Sequence, residues 1–278
     1  MSLSIRTNIA SLNAQRNLSG TQSTLDSSMS RLSSGYRITK AGDDAAGLGI
    51  STKLEAQIRS YTQAARNAND GLSVIQSTEA ALGESANILT RLRELAMQSA
   101  SDGIGNTERG YVQQEAQALV DELERIAQTA EYNGTKLLTT AGTTLDFQVG
   151  IANSANDKIS FTSVNATTAT GGGLGVTGLS LASKTTAASA LSTIDGALAA
   201  ISNARASLGA AGNRLESSIR NIQSFSESLS AANSRIKDVD IAEETSRMSR
   251  AQILAQSGVS VLAQANQQPQ LALKLLGQ

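Results

Sequence analysis

Few side chains in this sequence have the chemistry of a catalytic or metal-binding group. The chain of 278 residues contains no histidine and no cysteine. Without these residues it has no imidazole general base, no thiolate nucleophile and no zinc site of the usual nitrogen and sulfur type. The remaining carboxylates could bind only hard cations. We therefore predict no catalytic residues, no metal site and no cofactor.

Two groups of carboxylates are the remaining candidates for a site. Asp43 and Asp44 are adjacent in a glycine-rich stretch and could hold a cation. Such a pair lies more often in a solvated turn or beside an arginine, and we favour that interpretation. The second group follows a helical pattern and includes an arginine, so a solvated charged face is expected; it consists of Glu122, Glu124, Glu131 and Arg125.

Charge and hydropathy argue against nucleic acid and membrane partners. The net charge of −1 gives no basic stripe that could neutralise phosphates. No window of the sequence approaches the roughly 18 apolar residues that a membrane helix needs. The first twenty residues also lack the apolar stretch of a secretory signal. If the chain leaves the cell, we expect a route other than the general secretory one.

Apolar residues recur at helical spacing, in steps of three and four, over most of the sequence. One such segment runs from residue 54 to about 98, a second from 112 to 130, and a third from 191 to 222 with a continuation to 239. Glycines at 103 and 105 predict a turn between the first two, which would then pair as antiparallel helices. Since aromatic residues make up only 3% of the chain, the core must consist of aliphatic side chains along extended seams.

The pattern changes in the middle of the chain. Apolar and polar residues alternate at 145–149 and at 159–161, which predicts a small β-hairpin. Residues 166–183 are rich in glycine, threonine and serine. No core can be assigned to this stretch, so we expect a loop or a mobile tip.

Both ends of the chain carry amphipathic patterns without an evident partner inside a monomer. Isolated helices of this kind are only marginally stable in water. Their apolar stripes would therefore be buried between subunits, as in an intermolecular coiled coil. The residues predicted to mediate polymerisation are Ile5, Ile9, Leu12, Leu25, Leu32, Ile253, Leu254, Val261, Leu262, Leu271 and Leu275.

Several runs near the two ends resemble the bacterial flagellins. The resemblance covers about residues 1–140 and 185–278. Because the runs are long, in the right order and at opposite ends, they are specific for this family. They are Arg-Leu-Ser-Ser-Gly-Tyr-Arg-Ile at 31–38, Asp-Asp-Ala-Ala-Gly at 43–47, Leu-Ser-Ala-Ala-Asn-Ser-Arg-Ile at 229–236, Met-Ser-Arg-Ala-Gln-Ile-Leu at 248–254 and Ser-Val-Leu-Ala-Gln-Ala-Asn at 260–266.

The resemblance implies a mainly α fold, a long helical hairpin and coiled-coil bundle with a small β-hairpin region. It divides the chain into three parts. Residues 1–45 and 236–278 would form an inner terminal coiled-coil domain with a spoke, and residues 46–140 and 185–235 the helical bundle of an outer tube. Residues 141–184 would form the β-hairpin and the Gly/Thr-rich loop. This middle part is too short for the outer domains that many family members carry.

The resemblance also implies a function and partners. The chain would be a structural subunit that is exported unfolded by the flagellar type III apparatus and self-assembles into an extracellular flagellar filament for motility. Its partners would be other copies of itself, a flagellar export chaperone, the filament cap and the junction proteins. Family members are also recognised by an innate immune Toll-like receptor.

Residues 91–96 and Glu115 are similar to the stretch through which many flagellins contact that receptor. Arg91, Leu95 and Glu115 are therefore candidate recognition residues. Arg91 offers a planar fork of donors, and Leu95 would be an apolar anchor one turn later. An equally weighted alternative is that Leu95 faces the helical core.

Two other structural classes share parts of this pattern. The cytoplasmic helical hairpins of chemotaxis receptors have similar Ala-, Ser-, Gln- and Glu-rich heptads, but such receptors need a membrane anchor and their end motifs differ. The hook–filament junction protein shares the terminal helices. We rank it second, because its central region is usually more elaborate and its carboxyl terminus is less similar.

Overall fold

Helices dominate the fold of this chain. The computed structural model describes residues 7–140, 142, 144–170 and 172–276, with side chains as far as residue 267. A short 3₁₀ helix at Ala155–Asp157 precedes the last strand. The predicted mainly α fold is confirmed. The helices are α1 (Ile9–Ser34), α2 (Ala45–Ala100), α3 (Asn106–Thr129), α4 (Lys184–Lys237) and α5 (Ile241–Leu276), and the strands are β1 (Glu131–Tyr132), β2 (Thr135–Lys136), β3 (Thr144–Gln148) and β4 (Lys158–Thr162).

The chain divides into two compact units. The first consists of Met1–Gln57 and Ser228–Gln278, and the second of Ile58–Glu227. The β-strands and the Gly/Thr-rich loop belong to the second unit together with the helical bundle. The division into three parts made from the sequence stays a prediction.

The second unit has a core of aliphatic side chains from α2, α3 and α4. Fully buried leucines occur on each of these helices at the spacing of three and four that the sequence shows. Burying one leucine side chain contributes about 2 kcal/mol. Since alanines fill many of the positions between them, the helices can approach closely. The largest fully buried side chains on these helices are Leu82, Leu89, Leu92, Leu95, Leu123, Ile194, Ile201 and Leu215.

A buried arginine holds the turn between α2 and α3. Arg109 is only 8% exposed. Its Nε donates to the carbonyl oxygen of Ser99 at 2.9 Å, and its Nη2 donates to that of Ser101 at 2.8 Å. Its Nη1 donates to Oδ1 of Asn106 at 3.1 Å. The guanidinium thus satisfies carbonyl groups at the end of α2 that have no partner within the helix.

The predicted β-hairpin is confirmed. Strands β3 and β4 pair antiparallel, with Phe147 opposite Ile159. The rings of Phe147 and Phe161 stack at 6.1 Å between centroids. A Cβ atom on Gly71 of α2 would lie 2.9 Å from Cγ of Phe147, so only glycine leaves room for this ring. A second and shorter antiparallel hairpin, β1–β2, was not predicted.

The Gly/Thr-rich segment is a loop, but the expectation that it lacks a core is wrong. Leu174, Val176 and Leu181 are buried and belong to the core cluster of the second unit. The backbone N–H of Thr168 donates to Oε2 of Glu124 at 2.7 Å, and Ser99 Oγ donates to the carbonyl oxygen of Leu181 at 2.5 Å. Hydrogen bonds with helices α2 and α3 therefore fix the position of this segment, although its own composition favours no regular structure.

These contacts also correct the role assigned to Glu124. This side chain is half-buried, whereas the sequence predicted a solvated charged face. Hydrogen bonds from the side-chain amide of Gln128 and from the backbone of Thr168 lower the pKa of the Glu124 carboxyl group below its ordinary value. Arg125 and Glu122 do form an exposed ion pair at 2.6 Å, and Glu131 pairs with Lys136 at 2.5 Å.

Candidate assembly surfaces

Helices α1 and α5 pack against each other in the first unit. Asn8 caps α1 by accepting a hydrogen bond from the backbone N–H of Ser11 at 3.1 Å. The amide Nδ2 of the same Asn8 donates to the carbonyl oxygen of Ala265 at 2.8 Å. Ten residues further along α1, Leu18 lies 3.3 Å from the place that a Cβ on Gly258 would occupy. Because the contacts move backwards along α5 as α1 advances, the two helices are antiparallel.

The α1–α5 pair leaves many of its apolar side chains in contact with solvent. Of the predicted polymerisation residues, Leu25, Leu32 and Leu262 are partly buried within the unit. Ile5 and the side chains of Leu271 and Leu275 lie outside the described residues. The five others are all exposed: Ile9 65%, Leu12 49%, Ile253 63%, Leu254 53% and Val261 57%.

Three further apolar residues of these helices are exposed and were missing from the predicted set. Met29 is 56% exposed on α1, and Ile241 and Val259 are 55% and 57% exposed on α5. Met29 follows the same helical spacing as Leu25 and Leu32, so the sequence contained the signal for it. In the described part of the pair, apolar side chains on both helices thus lack an intramolecular cover.

Backbone hydrogen bonds join the segment after α1 to the segment between α4 and α5. Gly35 ends α1 in the left-handed conformation, with φ 74°. Its carbonyl oxygen accepts from the N–H of Val239 at 3.0 Å, and the N–H of Arg37 donates to the carbonyl oxygen of Lys237 at 2.6 Å. The ammonium group of Lys237 lies 4.5 Å from the ring centroid of Tyr36. These contacts fix where α1 and α5 leave the connecting segments.

The structure confirms the structural interpretation of Asp43 and Asp44. Asp43 Oδ2 accepts hydrogen bonds from the backbone N–H groups of Thr39 and Lys40, both at 3.0 Å. These bonds, first that from Thr39, lower the pKa of the Asp43 carboxyl group. Arg31 lies 3.6 Å away from Asp43. Asp44 accepts from the N–H of Gly47 at 2.8 Å, in the first turn of α2.

The candidate receptor residues lie in the second unit and separate into two groups. Arg91 of α2 donates from Nη2 to Oε1 of Glu115 on α3 at 2.7 Å, and from Nη1 to Glu94 at 2.9 Å. These bonds, first that to Glu115, raise the pKa of Arg91. The side chains of Arg91 and Glu115 are about half exposed, at 50% and 47%. Leu95, by contrast, is 2% exposed, so its side chain packs in the core. This agrees with the alternative interpretation, in which Leu95 faces the helical core.

Metal clusters and membrane spans are both absent from the part of the chain that the structure describes. No group of three or more carboxylate, imidazole or thiol side chains is placed so that it could hold a metal ion. None of the helices there combines the length and the hydropathy that a membrane crossing requires.

The fold and its exposed faces define a helical structural protein whose terminal helices pair and present uncovered apolar side chains. Residues 5–143 match the bacterial flagellin N-terminal helical region, and residues 191–276 match the bacterial flagellin C-terminal helical region. The chain belongs to the bacterial flagellin family. As a flagellin, it is a structural subunit of the flagellar filament.

Two similar proteins match nearly the whole chain, and a solved structure matches part of it. The flagellin of Halalkalibacterium halodurans is 43% identical over 272 residues, which cover 98% of this chain and 99% of that protein. The flagellar filament 30.7 kDa core protein of Treponema maltophilum is 40% identical over 287 residues, with coverage of 98% and 99%. The crystal structure of Bacillus cereus flagellin has a TM-score of 0.50 and 30% identity, and covers 56% of this chain and 88% of that one. These matches do not favour the hook–filament junction alternative.

Proposed function

We propose that this flagellin polymerises by burying the exposed apolar face of its α1–α5 pair against other copies of the chain. The observation that carries the proposal is the exposure of Ile9, Leu12, Ile253, Leu254 and Val261 on two helices that already pair with each other. Exposed apolar residues that accumulate on one pair of helices favour an interaction site. A second copy supplies the same kind of surface, and repeated contacts between identical subunits produce a helical filament.

Burial of these residues contributes favourable free energy to association. Complete burial of one Ile, Leu or Val side chain contributes about 1.5–3 kcal/mol, so even half of that from each exposed residue gives several kcal/mol per subunit. Part of it is offset by the freedom that the subunit loses on binding. Because each subunit in a helical polymer makes several contacts, the sum favours assembly over the free monomer.

The remaining features of the proposal come from the family resemblance. The chain is exported unfolded by the flagellar type III apparatus and assembles outside the cell, in the filament. An export chaperone, the filament cap and the junction proteins contact it on the way. Its role is structural and not enzymatic. The absence of histidine and cysteine from the sequence supports this role, and so does the family's structural character.

Deletion of residues 261–278 tests the assembly proposal. We expect the shortened chain not to polymerise on filament seeds, because it loses Val261 and the rest of the apolar face beyond it. Its second unit should keep its helical circular dichroism signal, since residues 58–227 form a separate compact unit. Electron microscopy of seeded samples gives the result. Filaments of normal length and number from the shortened chain would show that this end is dispensable for assembly.

We propose in addition that Arg91 and Glu115 form part of the surface that the flagellin-sensing Toll-like receptor contacts. Their ion pair is exposed and has two hydrogen bonds, since Nε and Nη2 of Arg91 both donate to Oε1 of Glu115. It presents a fixed guanidinium plane, which suits an interface anchor. Leu95 supports this surface from the core and does not touch the receptor in this proposal. A substitution of Leu95 would therefore act through the stability of the bundle.

The substitution Arg91→Asp tests this surface. We expect the concentration for half-maximal activation of receptor-bearing cells to rise about thirtyfold, which corresponds to a loss of about 2 kcal/mol at an interface hot spot. Arg125→Asp is the matched control, because Arg125 is also exposed and ion-paired. It lies on α3, whereas Arg91 lies on α2. Equal activation by the parent and by Arg91→Asp, with helical content unchanged, would place the recognition surface elsewhere.

A further inference from the structure

The turn of the β1–β2 hairpin contains the single Asn-Gly pair of the sequence. Tyr132 and Thr135 pair across the hairpin, so the turn consists of Asn133 and Gly134 alone. Both residues have positive φ, 48° and 77°. Two left-handed residues in a two-residue loop are the requirement of a type I′ turn. Among the described residues, Asn133 is the one non-glycine residue with positive φ.

The surroundings of Asn133 leave its amide open to reaction. Asn133 and Gly134 are both exposed. Within the described residues, the side-chain amide of Asn133 forms no hydrogen bond. Apart from Asn133 and Thr135, no residue has an atom within 4 Å of the position that a Cβ on Gly134 would occupy, so this side of the turn is open.

We propose that Asn133 is a site of spontaneous deamidation, through which the hairpin changes covalently with age. The backbone nitrogen of Gly134 attacks Cγ of Asn133 and forms a five-membered cyclic imide. The Cγ–Nδ2 bond breaks, and ammonia leaves with the proton from the Gly134 amide. Water then opens the imide at either carbonyl carbon and produces aspartate or isoaspartate. Solvent water is the only co-reactant, and asparagine is among the thermally labile residues of proteins.

The two products differ in their effect on the hairpin. Aspartate keeps the length of the backbone and tolerates left-handed φ, so the turn can persist. Isoaspartate adds the Cβ atom of residue 133 to the main chain. The pairing of Glu131 with Lys136 and of Tyr132 with Thr135 leaves room for two standard residues in the loop, so the longer backbone disrupts this register.

The β1–β2 hairpin lies next to two buried leucines of the core. Leu137 and Leu138 follow the hairpin directly and are 2% and 0% exposed. The N–H of Leu137 donates to the carbonyl oxygen of Ala130 at 3.0 Å, which closes the hairpin at its base. Loss of the hairpin register therefore releases Lys136 from its pairing with Glu131. It also weakens the packing of these two leucines in the core. We expect isoaspartate formation to make the native chain more sensitive to trypsin at Lys136.

Peptide mapping of the aged full-length protein tests the proposal. After incubation at mildly alkaline pH, complete digestion with trypsin yields peptide 126–136, which contains Asn133, and peptide 137–158, which contains Asn153 and Asn156. We expect the amide-to-acid mass increase and isoaspartyl methyltransferase labelling to be several-fold greater in peptide 126–136. Equal conversion of the two peptides would overturn the proposal.

Two variants make the result specific. Asn133→Gln cannot form the five-membered imide at this position, so peptide 126–136 should lose its excess conversion. If the excess persists, a glutamine of this peptide is its source and imide formation at Asn133 is the wrong assignment. Asn133→Asp reproduces the charge of the products without the longer backbone. Native trypsin cleavage at Lys136 should therefore be faster in aged parent than in freshly prepared Asn133→Asp, and equal rates would contradict the role of isoaspartate.

Discussion

Replacing Ile253 by aspartate should prevent filament assembly without unfolding the monomer. Ile253 is 63% exposed in the α1–α5 pair, so a carboxylate there remains hydrated in the free subunit. In a filament that covers this position, the carboxylate would be buried without a partner. The combined loss of apolar burial and cost of the buried charge is at least about 4 kcal/mol. This corresponds to a rise of about a thousandfold in the subunit concentration needed for polymerisation.

The matched control for this substitution is Ile253→Leu, which keeps the apolar character and the volume of the side chain. Sedimentation of seeded samples over a range of concentrations measures the critical concentration of each variant, and circular dichroism checks the monomer. We expect the leucine variant to assemble almost as the parent does. Assembly of Ile253→Asp at the parental concentration would mean that this face remains in water in the filament.

Replacing Arg109 by methionine should destabilise the second unit by about 3 kcal/mol, because carbonyl oxygens at the end of α2 lose their hydrogen bonds from a buried guanidinium. The carbonyl oxygens of Ser99 and Ser101 both depend on this guanidinium. Methionine can fill part of the same space but cannot donate. The free energy of unfolding, measured with denaturant, should fall accordingly.

Arg125→Met is the control for Arg109→Met. Arg125 forms an exposed pair with Glu122, at the spacing of three residues on α3. Such pairs contribute roughly 0–1 kcal/mol, so this variant should remain close to the parent. If the two variants were destabilised equally, the effect would come from the loss of any arginine on α3, and the turn contacts of Arg109 would have no special importance.

The helices and the larger hairpin could be predicted from the sequence because their signals are local. Steps of three and four among leucines and isoleucines mark the faces that α2, α3 and α4 bury. Strict alternation marks β3 and β4. The short β1–β2 hairpin was missed, since two residues on each side give no alternation to recognise. Its Asn-Gly turn was the available signal.

The burial of the Gly/Thr-rich loop could not be predicted in this way. Leu174, Val176 and Leu181 lie among glycines, polar residues and Leu179, at a spacing that fits neither a helix nor a strand. The loop is held by hydrogen bonds that Glu124 and Gln113 accept from its backbone and that Ser99 donates to it, and these three residues are distant from it in sequence. Only the three-dimensional arrangement brings these groups together.

Residue type and spacing identified only part of the candidate assembly and recognition surfaces. The apolar stripe of the terminal helices was evident. Spacing alone could not separate the side chains that are partly buried within the unit, such as Leu25, from the side chains that stay exposed, such as Ile253. In the same way, Arg91 and Leu95 are one helical turn apart. One is exposed and the other is buried, because α2 places Leu95 toward the core and Arg91 toward Glu115.

Cysteine labelling is the most direct test of the assembly proposal, because the parent chain has no cysteine that could react. Single variants Ile253→Cys and Val261→Cys would report on the proposed interface, with Thr162→Cys as a control at an exposed position of β4. We expect a maleimide to label all three in the monomer at similar rates. In seeded filaments, labelling at 253 and 261 should become much slower while position 162 continues to react. Equal labelling of positions 253 and 261 in monomer and filament would contradict the account, since the apolar face would then be uncovered in both.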